Sequence, residues 1–315
     1  MRKVLIAGSN GFLGVNACLK FLNEGFEVIG IDNNYTGTNK NFSRLMQFEG
    51  FSFLNFDIRE SWSSIPSVDL VVNLACPASP LHYQKDPIFT WTTSTLGNLN
   101  AVNYCRGHSI PLVFSSTSEV YGDPLTTMQT EDYWGNVNPI GIRSCYDEGK
   151  RAAESLLFDS KRFYGLDVRV MRIFNTYGPG MSPGDGRVVS NFIVQAISGQ
   201  PLTVYGSGNQ TRSFCFVNDT IDALFKISSP GFLSNSPINV GNPDEITMLT
   251  LAETILDITK SKSKLVFQEL PLDDPKIRRP DISRARKELH WDPKVNLRDG
   301  LEETINYFKG LNVFN

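Results

Sequence analysis

Val4-Leu5-Ile6-Ala7-Gly8-Ser9-Asn10-Gly11-Phe12-Leu13-Gly14 is the stretch that decides the fold of this chain. Residues 4–7 form an unbroken apolar run, the pattern of a parallel strand buried on both faces. Glycine then stands at positions 8, 11 and 14, and apolar residues recur at helical spacing over 15–22. Glycines between a strand and a helix permit a tight turn and let backbone approach a pyrophosphate. The helix N-terminus supplies unpaired N–H groups and a dipole that favours an anion. Three glycines in seven residues also occur in purely structural turns, so the surroundings have to choose between the readings. A second strand over 26–31 ends at Asp32, 18 residues beyond Gly14. A carboxylate there accepts hydrogen bonds from a ribose diol and disfavours a 2′-phosphate, which points to NAD rather than NADP. The cofactor set read from this region is Gly8, Gly11, Phe12, Leu13, Gly14, Asp32 and Asn33, with Asp57, Ile58 and Ala75 at the ends of later strands.

Working outward, further strands are expected over 51–56, 70–74, 112–115 and 168–172, with helices around 90–106 and 147–164. Alternation of this kind predicts an α/β protein with a Rossmann-type, doubly wound parallel sheet. Beyond residue 172 the texture changes. Residues 175–186 hold four glycines and two prolines, an irregular loop. Short strands follow at 202–205 and 213–217, helices at 219–227 and 247–258, a Pro/Asp-rich segment at 270–280, and an amphipathic helix at 297–308. The expected organisation is interleaved. Residues 1–172 plus about 213–260 form the dinucleotide domain, and about 173–212 plus 261–315 form a smaller, mixed α/β substrate domain.

Composition narrows the class. The chain has 315 residues, 41% of them hydrophobic and 20% charged, which is globular rather than disordered. Lys and Arg number 30 against 33 Asp and Glu, a net charge of −3, so no long polyanion is the expected partner and nucleic acid is excluded. No apolar run approaches the ~20 residues of a membrane span. The five cysteines form no C-x-x-C and read as buried thiols in a reducing compartment, and three scattered histidines make a metal centre unexpected. A cytoplasmic protein without membrane partners is the expectation.

Two later motifs carry chemistry. Tyr146-Asp147-Glu148-Gly149-Lys150 puts a phenol and an ammonium at i and i+4, on one helix face. A phenol titrates near pH 10 unaided. The ammonium, together with a positive nicotinamide, would bring Tyr146 toward working range as a general base. About 30 residues earlier, Ser116-Thr117-Ser118-Glu119 follows a strand, at the end of an open α/β sheet where ligands bind. An N-cap or ST-turn accounts for one of these hydroxyls but not for all four residues.

The glycine turn, the Ser/Thr cluster and Y-x-x-x-K in this order resemble the extended short-chain dehydrogenase/reductase superfamily, in its nucleotide-sugar-modifying branch. Longer blocks resemble the UDP-glucuronate decarboxylase family: Ala75-Cys76-Pro77-Ala78-Ser79-Pro80, STSEVYGDP at 116–124, YWGNVNPIGIRSCYDEGK at 133–150, GRVVSNF at 186–192, LTVYGSGNQTRSF at 202–214 and DDPKIRRPDI at 273–282. The resemblance implies NAD-dependent decarboxylation of UDP-glucuronate to UDP-xylose through a 4-keto intermediate, with a hydride removed from C4 and returned to it. It also implies that Tyr146 is the base, that Lys150 and Thr117 hold the geometry, and that Glu119 and Arg278 handle the carboxylate and the C5 protonation. Either Arg278 or Arg279 points inward. For the substrate it implies Pro77, Ser79, Ser118, Asn175, Val189, Asn191, Tyr205, Arg212 and Arg278, and for assembly a homodimer through the helix bearing Tyr146.

One position separates subfamilies. Sugar 4,6-dehydratases of the superfamily carry Thr-Asp-Glu, whereas this chain has Thr117-Ser118-Glu119. A serine is no acid at neutral pH, but loss of CO2 needs none. Departures from the family pattern are Gly180 in place of an arginine within Pro179-Gly180-Met181, Ala7 before the glycine turn, and Trp91-Thr92 where relatives tend to carry lysine. The alternatives are a 4-epimerase or dehydratase of the same branch, or a non-catalytic NAD-binding regulator. A regulator is expected to have lost Tyr146 or Lys150.

Overall fold

A computed structural model describes residues 2–269 and 277–311. Six parallel strands follow the expected alternation: β1 Lys3–Ala7, β2 Glu27–Asp32, β3 Phe51–Asn55, β4 Leu70–Asn73, β5 Leu112–Thr117 and β6 Val168–Ile173. Short strands come next: β7 Thr176–Tyr177, β8 Leu202–Tyr205, β9 Thr211–Ser213, β10 Cys215–Phe216, β11 Ile238–Val240, β12 Glu245–Thr247 and β13 Leu265–Gln268. The helices are α1 Phe12–Asn23, α2 Asn39–Leu45, α3 Pro80–Tyr83, α4 Pro87–His108, α5 Ser144–Tyr164, α6 Val188–Ile197, α7 Val217–Ile227, α8 Met248–Thr259, α9 Ser283–Leu289 and α10 Leu297–Lys309.

The main sheet has seven strands in the order β11-β6-β5-β4-β1-β2-β3, every neighbouring pair parallel. Strand order reverses between β1 and β4, and that switch point is where an open α/β sheet leaves a crevice at its carboxyl edge. Successive strand residues face opposite sides, so the apolar runs feed two cores. Val4, Ile6, Val28 and Val72 pack in one with residues of α1 and α7. Leu5, Ala7, Ile29 and Val71 pack in the other with residues of α4 and α5.

Several elements differ from the expectation. The expected single strand at 213–217 is two short ones. β9 pairs antiparallel with β12, β10 pairs parallel with β7 inside the expected loop, and Val217 already opens α7. The seventh strand, β11, is three residues centred on the buried Asn239 and carries too little periodicity to stand out. The strand β13, which pairs parallel with β8, and the helices α2 and α6 were likewise not expected as elements. Residues 270–276 of the Pro/Asp-rich segment lie outside the described residues. Among the described residues, no helix is long and apolar enough to cross a membrane, and no group of three or more His, Cys, Asp or Glu could hold a metal ion.

Candidate active site

At the switch point the chain turns so tightly that two glycines are obligatory. Gly8 has φ +80°, and a Cβ there would lie 2.9 Å from the Ala75 nitrogen, at the end of β4. A Cβ on Gly14 would fall 1.8 Å from the Gly8 carbonyl oxygen. The helix therefore presses on its own turn, and these glycines serve the packing of strand against helix as well as access to a ligand. No side chain caps the N-terminus of α1, so its first-turn N–H groups remain available to an anion. Asp32 ends β2. Its carboxylate accepts the Asn10 N–H at 2.9 Å and the Asn34 N–H at 2.7 Å. Each oxygen keeps a lone pair for a further donor. Burial raises the Asp32 carboxyl above its ordinary value, and the two N–H groups oppose it. Asp57 receives Arg59 at 2.7 Å and the Asn33 amide at 3.0 Å. The Arg59 guanidinium lies 4.2 Å over the Phe89 ring, which stacks on Tyr35.

These groups open onto one cavity of about 590 Å³. Every residue proposed from the sequence for cofactor, substrate or catalysis lines it, from Gly8 through Asp57, Ile58 and Ala75 to Asn175, Val189, Asn191, Tyr205, Arg212 and Arg278. The fit to a dinucleotide can be judged on unsatisfied groups, because buried polar atoms ordinarily have partners. Asn10 Oδ1, Tyr35 OH, Ser79 Oγ and Tyr83 OH are buried with no hydrogen-bond partner, and Tyr35, Ser79 and Tyr83 line the cavity. With the uncapped helix end and Asp32, the residues present fit NAD.

The reactive end lies where β5 meets α5. Starting at Ser144, three residues before the expected helix, α5 carries Tyr146 and Lys150 one turn apart, both buried. Lys150 Nζ donates to the Ser115 carbonyl at 2.7 Å and sits 5.8 Å from the Tyr146 ring centre. The Tyr146 ring stacks on Tyr83 at 5.1 Å with planes 5° apart. Burial, reinforced by the Cys76 thiol, pushes the Tyr146 phenol above its ordinary value, while a hydrogen bond with Thr117 pulls it down. Burial also lowers Lys150, opposed by Cys76 and Glu154. Lys150 alone therefore does not offset the burial of the phenol.

Glu119 stands between two guanidinium groups. Arg143 reaches its Oε2, and Arg278 Nη2 lies 3.0 Å from the same oxygen. Arg278 also donates to the Ser118 carbonyl. Burial alone would raise the Glu119 carboxyl, but Arg278 and Arg143 hold it below the usual carboxylate range. Of the two candidate arginines, Arg278 is the inward one, its side chain 3% exposed. Arg279 turns to the Pro243 carbonyl and Glu245, at 42% exposure.

The nucleotide-side residues Asn191 and Arg212 each bond to backbone close by in sequence. Asn191 donates to the Gly186 carbonyl at 2.9 Å, Arg212 donates to the Thr211 carbonyl at 2.8 Å, and Tyr205 is 40% exposed. Gly180 has φ +97°, and a Cβ there would meet the Asn16 amide at 2.9 Å. Asn16 and Asn41 donate to the Pro179 and Gly180 carbonyls, which ties this loop down to α1 and α2.

Four residues at the site were not singled out from the sequence. Tyr83 and Arg143 line the cavity, as does Arg187, paired with Asp185. Asp147 is raised by burial and then by Glu119. Arg143, at the N-cap of α5, precedes Tyr146 by three residues, so local spacing could have found it. Its pairing with Glu119, 24 residues away, is visible only in the fold.

A doubly wound sheet with a phosphate-ready turn and a buried Tyr/Lys pair at its switch point defines a dinucleotide-dependent enzyme of the short-chain type. The model of the NAD dependent epimerase/dehydratase family matches residues 4–241, and the chain belongs to this family. UDP-glucuronic acid decarboxylase 6 of Arabidopsis thaliana is 47% identical over 300 residues, covering 95% of this chain and 86% of the relative. UDP-glucuronic acid decarboxylase 1 of Danio rerio is 45% identical over 307 residues, covering 98% and 72%. The crystal structure of UDP-glucuronic acid 4-epimerase from Bacillus cereus, in complex with UDP-glucuronic acid and NAD, matches with a TM-score of 0.89 at 26% identity, covering 98% of this chain and 99% of the other.

Proposed function

We propose that this enzyme decarboxylates UDP-glucuronate to UDP-xylose. The observation that carries the reading is the end of β5: a serine at 118 where a dehydratase has its acid, followed by Glu119 clamped between Arg143 and Arg278. Identity of 45–47% to decarboxylases over nearly the whole chain supports it. Gly8, Gly11, Phe12, Leu13, Gly14, Asp32 and Asn33 would hold NAD, which supplies a two-electron acceptor for the C4 position and returns the electrons at the end.

This chain's part is proton handling and positioning. Tyr146 takes the proton of the 4-hydroxyl, with Thr117 bonded to the phenol and Lys150 fixed by the Ser115 carbonyl. The C5 carboxylate is then β to a ketone. Its C–C bond breaks, CO2 leaves, and the electron pair passes into an enolate that the 4-oxygen bears. Arg278 and Arg143 together outweigh Glu119 by one positive charge, so the negative substrate carboxylate meets a net cationic cluster rather than a bare carboxylate. A proton from water, passed to C5 alongside the ionised Glu119, restores the ketone, and Tyr146 gives its proton back as the 4-hydroxyl reforms. Mass spectrometry of the product from UDP-glucuronate tests the assignment: one CO2 lost supports it, and an unchanged mass, as from an epimerase, contradicts it.

The interleaved division of the chain and the homodimer belong to the same proposal. The sheet-edge strand β11 comes from residues past 213, which supports an NAD unit assembled from two stretches. For the dimer through α5, the helix α4 packed beside it exposes Ile88, Trp91, Leu96 and Leu99, spaced three to five residues apart as a stripe. Sedimentation equilibrium should give twice the chain mass, and Leu96→Asp with Leu99→Asp should return it to the monomer value.

A further inference from the structure

We infer that Gln129 is the positioning residue for Arg278, setting where its guanidinium reaches; this rests on the role proposed for Arg278 above. Gln129 is fully buried and does not line the cavity. Its four polar groups are all engaged, three of them on the segment that carries Arg278. Its N–H donates to the Arg279 carbonyl at 2.9 Å, and its carbonyl accepts the Asp281 N–H at 2.9 Å. Its side-chain Oε1 accepts the Arg279 N–H at 2.8 Å, and its Nε2 donates to the Thr126 carbonyl at 3.0 Å. Ser213 adds a bond to the Arg278 carbonyl at 3.2 Å. The backbone beneath Arg278 is thus held from both sides.

The other partner of Arg278 hangs from the same frame. Asn239, fully buried on β11, donates to the Gln129 carbonyl at 3.0 Å and the Asp281 carbonyl at 3.2 Å. Its Oδ1 accepts the Tyr121 hydroxyl at 2.7 Å, and Tyr121 stands two residues after Glu119. The Glu119 turn and the Arg278 segment, 159 residues apart in sequence, are therefore spaced by one continuous buried hydrogen-bond chain. A buried chain with every member satisfied is rigid. Removing the Gln129 acceptor frees the Arg279 N–H and lets the base of Arg278 shift, and a misplacement of about 1 Å costs on the order of 10²-fold in rate.

The test uses the full-length protein with its NAD. Gln129→Met, similar in size and lacking the acceptor, should keep its fold and NAD content, with a melting temperature lowered by the unpaired Arg279 N–H, while kcat for CO2 release falls about 10²-fold. Gln129→Glu, protonated by burial so that it accepts from the Arg279 N–H and donates to the Thr126 carbonyl, should recover most of that loss. In an Arg278→Ala background, Gln129→Met should cost nothing more. Unchanged kcat in Gln129→Met, or an equal loss in both backgrounds, overturns the inference while leaving the role of Arg278 standing. Full activity in Arg278→Ala removes that role, and the inference with it. Should Gln129→Met fail to fold, Gln129→Asn, shorter by one methylene, tests the same contact with the same outcomes.

Discussion

Tyr146→Phe should retain NAD and lose turnover by about 10²–10⁴-fold, the ordinary contribution of a positioned general base. The ring itself has a structural task, since it stacks on Tyr83. Phenylalanine keeps that contact, so the folded protein and its cofactor content should be unchanged. What disappears is the hydroxyl that Thr117 favours in its charged form. Burial works against the phenolate here, and Lys150 is committed to the Ser115 carbonyl. On the proposed role of Tyr146, a bound cofactor would supply the positive charge that Lys150 alone does not. NAD released by denaturing the purified variant, together with CO2 release from UDP-glucuronate, checks both halves. Full activity would remove Tyr146 as the base.

Glu154→Ala should be strongly destabilising although Glu154 does not line the cavity. Arg172 meets both oxygens of Glu154, at 2.9 and 2.6 Å, with side chains 12% and 10% exposed. The Ser116 hydroxyl donates to the same carboxylate at 2.5 Å. Breaking such a pair from one side leaves a buried charge with too few partners and costs about 3–5 kcal/mol. Replacing both members, as in Glu154→Leu with Arg172→Met, removes the orphan charge and should be much milder, since burying the pair has a desolvation cost of its own. Denaturant midpoints of the single and double variants decide it. Equal destabilisation by the two would mean that the pair itself, rather than the avoidance of an unpaired charge, holds this end of β5.

Much of this was legible in the chain itself. The apolar run at 4–7 and the glycines at 8 and 14 could be placed because buried parallel strands and close strand–helix packing tolerate few alternatives. Tyr146 and Lys150 could be put on one face because helical spacing is local. The short strand around Asn239 could not be read, since three residues in a sheet edge owe their conformation to the neighbouring strand rather than to their own pattern. The inward choice between Arg278 and Arg279 was equally hidden. The two arginines are adjacent and chemically identical, and only the register of Gln129 against residues 279–281 turns Arg278 toward Glu119. Arg143 stood in view three residues before Tyr146, but its meaning depends on a contact between α5 and the end of β5.

The central claim is the reaction, and it is tested most directly by incubating the purified protein with UDP-glucuronate, with no NAD added, and weighing the nucleotide sugar by mass spectrometry. The expected product is a UDP-pentose lighter than the substrate by one CO2, formed over many turnovers because the cofactor is regenerated in each. A product of unchanged mass or one lighter by water, or a reaction that stops after a single turnover, would contradict it.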